Sequence, residues 1–226
     1  KNSSGATTPN YRGTVHLSRL YVNPPAGLRT LSLGTLGPTT FVSGVSSANP
    51  HYPDAGQIQI TAQDISYLPG VTITGMSQTL TFKPKSFAVT LMGLPPTLTR
   101  PYVNQPFGIE VKALGADGTV TENYLGLVTI TGDEGLSLGS VTRTFVPTVD
   151  RGVAVIHGLR AGLPGTGVVK ATDGPLSGKS PTFGIRQATL VLHSVTGLPG
   201  TLTVSAYVKD NATGSPVAED QSTRFT

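Results

Sequence analysis

The fold is decided by residues 107–131, which read FGIEVKALGADGTVTENYLGLVTIT. Apolar and other residues alternate in the first eight positions, so the apolar side chains from Phe107 to Ala113 share one face of a strand. An Asp-Gly turn follows at residues 117–118, and a second alternating run begins after Asn123. Similar short runs, bounded by Gly, Pro, Asn and Asp, recur along the chain without helical periodicity. The sequence therefore predicts an all-β protein.

A second feature is an internal repeat, because the element Asn-Tyr-x-Gly-x-Val occurs near the N-terminus and again in this stretch. Further elements follow each occurrence in the same order. The paired elements are residues 10–15 with 123–128, LSLG at 31–34 with 136–139, TFV at 40–42 with 144–146, the strands ending at Asp64 and Asp173, and the runs from glycine to phenylalanine at 75–82 and 178–183. The expected equivalent residues are Tyr11 with Tyr124, Val15 with Val128, and Phe82 with Phe183.

The composition excludes several classes of protein. The 226 residues contain no cysteine, so neither a disulfide nor a thiolate metal site can form. The net charge of +4 comes from scattered residues, and no basic patch predicts nucleic-acid binding. No apolar run approaches the roughly 18 residues that membrane insertion requires. Because charged residues are only 12% of the chain and hydroxyl side chains are abundant, we expect an extracellular or cell-surface location.

No constellation of catalytic or metal-binding residues emerges from the sequence. The four histidines are far apart, at His16, His51, His157 and His193. Asp117 and Asp173 precede glycines, and with Asp133 they are interpreted as turn residues and not as calcium ligands. Neither a Ser–His–Asp set nor a phosphate-binding loop is predicted. The chain is therefore predicted to be non-enzymatic, with no catalytic residues, no metal and no cofactor.

Residues 87–185 contain seven short strand-like runs, which predicts an antiparallel β-sandwich of the immunoglobulin kind. The stretch PFGIEVKALGADGTVTENYLGLVTITGDEG and the later GTGVVKATDG resemble the tandem bacterial immunoglobulin-like modules of surface proteins, adhesins, invasin-type proteins and pilus-associated proteins. The resemblance implies tandem immunoglobulin-like antiparallel β-sandwiches and brings no catalytic residues. The side chains expected to face inward are Phe107, Ile109, Val111, Val128, Ile130, Val169 and Ala171.

The repeat divides the chain into three predicted parts. Residues 1–85 form a module that lacks its first two strands, residues 86–186 form a complete sandwich, and residues 187–226 supply the first strands of a further module, with a candidate third strand at residues 222–226. An incomplete sandwich exposes strand edges and apolar faces. Three interpretations stay open: the C-terminal strands complete the N-terminal module of a neighbouring subunit, the chain is a segment of a longer array, or completion occurs within one chain.

Completion between subunits makes a head-to-tail contact that does not close on itself, and such a contact generates a filament. We therefore expect a structural subunit of an extracellular filament or surface appendage, whose partners are copies of itself. The residues expected at the subunit interface are Leu190, Val191, Leu192, Leu202, Val204, Ala206, Val208, Val15 and Leu17. The alternative is an adhesin or carbohydrate-binding stalk segment that contacts a host surface or glycan through tyrosines such as Tyr52 and Tyr67. An accessory domain of a secreted enzyme is the third class.

Overall fold

The structure, a computed structural model, consists mainly of β-strands. The residues that it describes are 4–27, 29–94, 100–133, 136, 138–198 and 201–217. Within them, helix is limited to a 3-10 turn at Pro38–Thr40 and to α1, a single turn at Pro147–Asp150. The predicted all-β class is therefore confirmed. The candidate strand at residues 222–226 lies outside the described residues.

The strands are short. In chain order they are β1 (Val15–Asn23), β2 (Thr35–Leu36), β3 (Gly56–Leu68), β4 (Val71–Met76), β5 (Leu80–Phe82), β6 (Ser86–Met92), β7 (Phe107–Leu114), β8 (Gly126–Asp133), β9 (Val141–Phe145), β10 (Val153–Leu159), β11 (Gly165–Asp173), β12 (Leu176–Lys179), β13 (Phe183–Ile185), β14 (Ala188–Leu198) and β15 (Thr201–Asp210).

These strands form four sheets in the described part of the chain. One five-stranded sheet has the order β2-β1-β3-β4, with β5 also paired to β3, and another has the order β12-β11-β8-β9, with β13 also paired to β11. The other two are a three-stranded sheet, β10-β7-β6, and the hairpin β14-β15. The ladders that β3, β11 and β14 make with their neighbours are antiparallel.

The sequence predicts seven strands in residues 87–185, whereas the described part of this range already contains eight, β6 to β13. The strand that the sequence does not reveal is β12, which pairs with residues 170–173 of β11. The turn at Asp173-Gly174 closes this hairpin, and Gly174 adopts a φ of 55° there. The sequence of β12 is LSGK, which offers only one apolar residue and therefore no alternation to detect.

The chain divides into two compact units. Unit 1 consists of Lys1–Ser86, Ala113–Gly126 and Thr144–Val153, and unit 2 consists of Phe87–Lys112, Leu127–Arg143 and Ala154–Thr226. Unit 1 thus combines the β1–β5 sheet with two segments that the sequence assigns to the middle module. The module boundaries after residues 85 and 186 stay predictions.

The core of unit 2 comes from alternating residues of β7, β8 and β11. All the side chains expected to face inward are buried, and the prediction of the inward face is confirmed. The exposed fraction is 2% for Phe107 and 0% for Ile109, Val111, Val128, Ile130, Val169 and Ala171.

Unit 1 has a smaller apolar core. Leu31, Tyr52 and Ile58 are its buried members. Partly buried residues that pack against them are Tyr21, Leu33, Ile60 and Phe82. No residue of β1, β4 or β5 is fully buried.

Truncating the core of unit 2 at Ile109 is expected to be costly. Ile109→Ala should lower the free energy of unfolding by about 2–5 kcal/mol, because it removes a fully buried side chain and leaves a cavity. Leu127→Ala, at a position 54% exposed on β8, is the control and should change that free energy by less than about 0.5 kcal/mol. Denaturant unfolding of both variants measures the difference, and equal losses would contradict the core assignment.

Candidate functional site

Two ladders, β1 with β3 and β8 with β11, have the same register. Four successive residue pairs match in order. In the first ladder they are His16–Gln63, Leu17–Ala62, Ser18–Thr61 and Arg19–Ile60. In the second ladder they are Thr129–Thr172, Ile130–Ala171, Thr131–Lys170 and Gly132–Val169. The other edges of β3 and β11 are also paired in the same register. Ala62 of β3 pairs with Gly75 of β4, and Ala171 of β11 pairs with Gly178 of β12. We call residues at the same ladder position counterparts.

This register corrects one expected equivalence. Gly56 pairs with Phe82 in unit 1, and Gly165 pairs with Ile185 in unit 2. The counterpart of Phe82 is therefore Ile185, and Leu80 is the counterpart of Phe183. The sequence comparison matched the two phenylalanines by residue type, whereas backbone pairing fixes the positions.

A serine holds the same place beside each ladder. The backbone N–H of Ile60 donates to Ser77 Oγ at 2.9 Å, and the N–H of Val169 donates to Ser180 Oγ at 3.0 Å. Each serine N–H in turn donates to the carbonyl of the same residue, at 2.9 Å in both cases. The correspondence between the two sheets thus extends to individual hydrogen bonds.

Each copy of the sequence repeat also has an aromatic pair. The rings of Tyr11 and Phe41 lie 4.8 Å apart, and those of Tyr124 and Phe145 lie 5.1 Å apart. Tyr11 donates its hydroxyl to Asp64, which also accepts from the backbone N–H of Ser66 at 2.7 Å. The bond from Tyr11 is the main cause that lowers the pKa of Asp64, while burial is the main cause that raises the pKa of Tyr11.

Counterparts in the two sheets differ in burial. We call Val15, Leu17, Ile60 and Ala62 the open face, because each is only half-buried in unit 1. Their counterparts Val128, Ile130, Val169 and Ala171 are all 0% exposed. Tyr11 and Phe41 are likewise half-buried, whereas Tyr124 is 3% and Phe145 is 0% exposed. The described part of unit 1 therefore leaves uncovered a face whose counterpart is a core.

Two depressions lie along the open face. One, of about 290 Å³, is lined by Val15 and Ala62 together with Tyr11, Asp64 and Tyr67. The other, of about 520 Å³, contains Leu17, Arg19, Tyr21, Leu31 and Leu33 among its lining residues. Val15 and Leu17, expected at an interface, thus border space that a further element can fill.

The other expected interface residues lie on the hairpin β14-β15. Leu190 pairs with Val208, and Leu192 pairs with Ala206, so these four share one face, which we call the hairpin face. Leu190 is 49% and Leu192 is 62% exposed. Val191 pairs with Tyr207 and belongs to the opposite face, because successive strand residues alternate. Leu202 and Val204 continue the ladder opposite Gly197 and Val195.

Tyr52 and Tyr67, the tyrosines suggested for glycan binding, are not together. Tyr52 is 7% exposed in the unit 1 core, and its ring lies 5.1 Å from that of Phe82. Tyr67 is 38% exposed, and its ring lies 4.8 Å from that of Tyr11. Of these two tyrosines, Tyr67 is the one exposed enough to contact a ligand.

Unit 1 also contains a buried polar cluster that the sequence does not reveal. Asp54 Oδ1 accepts from the backbone N–H of Asn123 at 2.8 Å, and Asn123 Nδ2 donates to Tyr52 Oη at 3.1 Å. Glu122 bridges Arg29, at 3.1 Å, and Arg151. Burial raises the pKa of Asp54. Sequence reasoning treats Asn123 only as a repeat marker, because nothing local indicates a partner so distant in the chain.

In the described residues, no group of three or more His, Asp or Glu side chains is arranged to hold a metal ion. Asp117 accepts from the N–H of Thr119 at 3.0 Å and from its hydroxyl, which fits the predicted turn. In the same part of the chain, we find no helix with the length and apolar character needed to cross a membrane.

The glycine of the Asn-Tyr-x-Gly element has a packing role. A Cβ at Gly13 would overlap the Tyr11 hydroxyl and the Asp64 carboxylate. Gly13→Ala should therefore separate this pair and lower the free energy of unfolding by about 1–3 kcal/mol. Gly37→Ala, where no described atom lies within 4 Å of the added carbon, is the control and should have little effect. Equal unfolding curves for the two variants would contradict the assignment.

Comparisons with known proteins give a family match to part of the chain and similarities to solved structures. Residues 54–147, less than half of the chain, match the family model described as DUF6701, third domain. No curated protein matches the chain. A solved structure, a glycosyl hydrolase family 2 member from Bacteroides cellulosilyticus, is similar at 12% identity and a TM-score of 0.34, over 77% of this chain and 29% of that chain. A likeness at this TM-score carries no argument about activity, and the matched part is less than a third of that protein.

Proposed function

We propose that this chain is a non-enzymatic structural subunit of an extracellular filament or cell-surface appendage, built from immunoglobulin-like modules and joined head to tail. The hairpin face of one copy covers the open face of the next. The observation that carries the proposal is the unequal burial of counterparts: Val128 and Ala171 are 0% exposed, whereas Val15 and Ala62 are half-buried. The resemblance of the sequence to modules of bacterial surface proteins supports the location.

Contacts within unit 2 support a sandwich as the form of each completed module. The ring of Phe107, on β7, lies 5.9 Å from that of Phe183, on β13, with the two planes at 68°. These strands belong to different sheets, so the two sheets meet at this point. A face that is buried by such packing in unit 2 has its counterpart uncovered in unit 1.

The hairpin has the features needed to supply the missing layer. Val208-Lys209 repeats Val111-Lys112, and this alignment makes Ala206 the counterpart of Ile109 on β7. Ile109 and Val111 are fully buried in unit 2. The hairpin therefore presents the alternation of the strands that cover a module, and it presents it with Leu190 and Leu192 still exposed.

The energetics favour a stable joint. Burying the apolar side chains of the hairpin face contributes about 1.5–3 kcal/mol for each large group, and loss of freedom on docking offsets part of the sum. Because the donor and acceptor surfaces differ, each added copy leaves a new hairpin and a new open face at the ends. Such a contact propagates into a filament unless its rotation closes a ring.

Light scattering and negative-stain microscopy of the purified chain test the proposal. We expect filaments whose mass grows with protein concentration. A homogeneous particle of 23.3 kDa at high concentration, the mass of one chain, would overturn it. Higher salt should have little effect, because the proposed contact is apolar.

A second candidate function is glycan binding at the 290 Å³ depression. It is favoured by the exposed Tyr67 next to Tyr11 and the Asp64 carboxylate, since aromatic faces and acceptor oxygens are what a sugar needs. Glycan-array binding that is lost in Tyr67→Ala and kept in Tyr207→Ala would support this function. Absence of binding by a folded monomer would remove it.

A further inference from the structure

A glycine in unit 2 marks the crossing of two strands. A Cβ added at Gly178, on β12, would lie far below 3.0 Å from the carbonyl oxygen of Phe87, on β6. Real Cβ atoms essentially never approach so closely, and a backbone oxygen cannot swing aside as the end of a long side chain can. The backbone of β6 therefore passes directly over Gly178, and only glycine fits beneath it.

The counterpart of Gly178 is Gly75. The pairs Ala62–Gly75 and Ala171–Gly178 hold the same ladder position, as do Thr61–Met76 and Lys170–Lys179. No described atom lies within 4 Å of a Cβ added at Gly75. Its backbone is not in the left-handed region, so the turn chemistry that often requires glycine does not apply here. Within the described structure, nothing at Gly75 itself requires the missing side chain.

The strand that corresponds to β6 is β14. Gly93-Leu94 ends the first, and Gly197-Leu198 ends the second. The ladder of β14 has one irregularity, between Leu192 and Ser194. Phe87 lies six residues before Gly93. Because β14 has one extra residue, the same position lies seven residues before Gly197, and the residue there is Leu190. Phe87 is 4% exposed in unit 2, whereas Leu190 is 49% exposed.

We propose that Gly75 is a docking notch, into which the backbone of β14 of a second copy settles at Leu190. The inference rests on the proposed function and names the contact that sets its register. Close backbone approach brings the Gly75 Cα–H groups against a carbonyl oxygen, a weak favourable contact, and lets the neighbouring side chains of the hairpin face reach the open face. A side chain at residue 75 holds the strand away and prevents the whole face from closing.

Replacing the two counterpart glycines with alanine is expected to affect different properties: the stability of the chain at position 178 and its assembly at position 75. Gly178→Ala should destabilise the free chain, because the crossing strand is already present. Gly75→Ala should leave the melting temperature of the free chain unchanged or slightly higher, since alanine is the better strand residue. The same change should raise the concentration needed for assembly at least tenfold. Met76→Ala, at a 63% exposed neighbour on the other face of β4, is the control and should assemble normally.

Mixing provides a readout that misfolding cannot imitate. A Gly75→Ala subunit still donates its hairpin but cannot accept one, so a small fraction added to wild-type chains should shorten the filaments measured by microscopy. An unfolded variant would leave their length unchanged. If Gly75→Ala polymerises as the wild type does, the notch is wrong while the filament proposal stands. If wild-type chains form no polymer at all, both are overturned.

Discussion

Replacing Ala171 with aspartate is expected to unfold unit 2, whereas the same replacement at Ala62 should leave the chain folded and stop its assembly. Ala171 is 0% exposed on β11, so a carboxylate there loses its hydration without gaining a partner, at a cost of several kcal/mol. Ala62 holds the counterpart position on β3 but is half-buried, and a carboxylate there keeps contact with water until the open face is covered.

Circular dichroism and light scattering on the two variants measure both effects. His16→Asp is the matched control, because His16 is exposed on the paired strand β1 and, lying between Val15 and Leu17, points to the opposite face. It should fold and assemble as the wild type does. Normal assembly of Ala62→Asp would show that the open face stays in water.

The second large effect is expected from the hairpin. Deleting residues 189–226 should abolish polymerisation, because it removes the whole hairpin face, and should leave the core of unit 2 folded. That core is provided by β7, β8 and β11, whose inward residues are buried and whose sheets are separate from the hairpin sheet β14-β15. The deletion also removes Asp210, which binds Arg186 at 2.8 Å and Tyr102 at 2.9 Å, so a modest fall in melting temperature is expected as well.

Point variants test the role of the hairpin face without removing residues 189–226. Leu192→Asp should block assembly, whereas Val191→Asp, on the opposite face of β14, should be tolerated. Light scattering on both variants gives the comparison. Filament formation by the deleted chain, or equal behaviour of the two aspartate variants, would contradict the role of the hairpin face.

The fold follows from the sequence where one local pattern decides burial. In β7, alternation places Ile109 and Val111 on one face, and both are fully buried. The equivalence of other positions is known only from backbone pairing. The pairing matches Phe82 to Ile185 and puts Val191 on the face opposite to Leu190. A residue's type says little about its register when the loop lengths of two copies differ.

Long-range polar contacts are the part of the site that the sequence does not reveal. Asn123 and Asp54 meet through a backbone N–H and a carboxylate far apart in the chain. Tyr52, which the alternative function would use to contact a glycan, is buried, because the rings of Tyr21 and Phe82 pack around it and Asn123 binds its hydroxyl. No periodic pattern encodes such pairings, since each depends on which loops the completed sheets bring together.

The central claim is that the hairpin of one copy covers the open face of another, and cysteine cross-linking tests it most directly. The chain has no cysteine of its own, so an introduced pair reacts without background. Leu80→Cys and Val204→Cys are the suitable positions, because their counterparts Phe183 and Phe107 have ring centres 5.9 Å apart in unit 2, a separation that a short bis-maleimide linker spans between two cysteines. Treatment of the double variant with this linker should give a ladder of covalently linked multimers on a denaturing gel, and the single variants should give none beyond dimers. A fast-migrating monomer, produced by a bond within one chain, or no cross-link at all would contradict the claim.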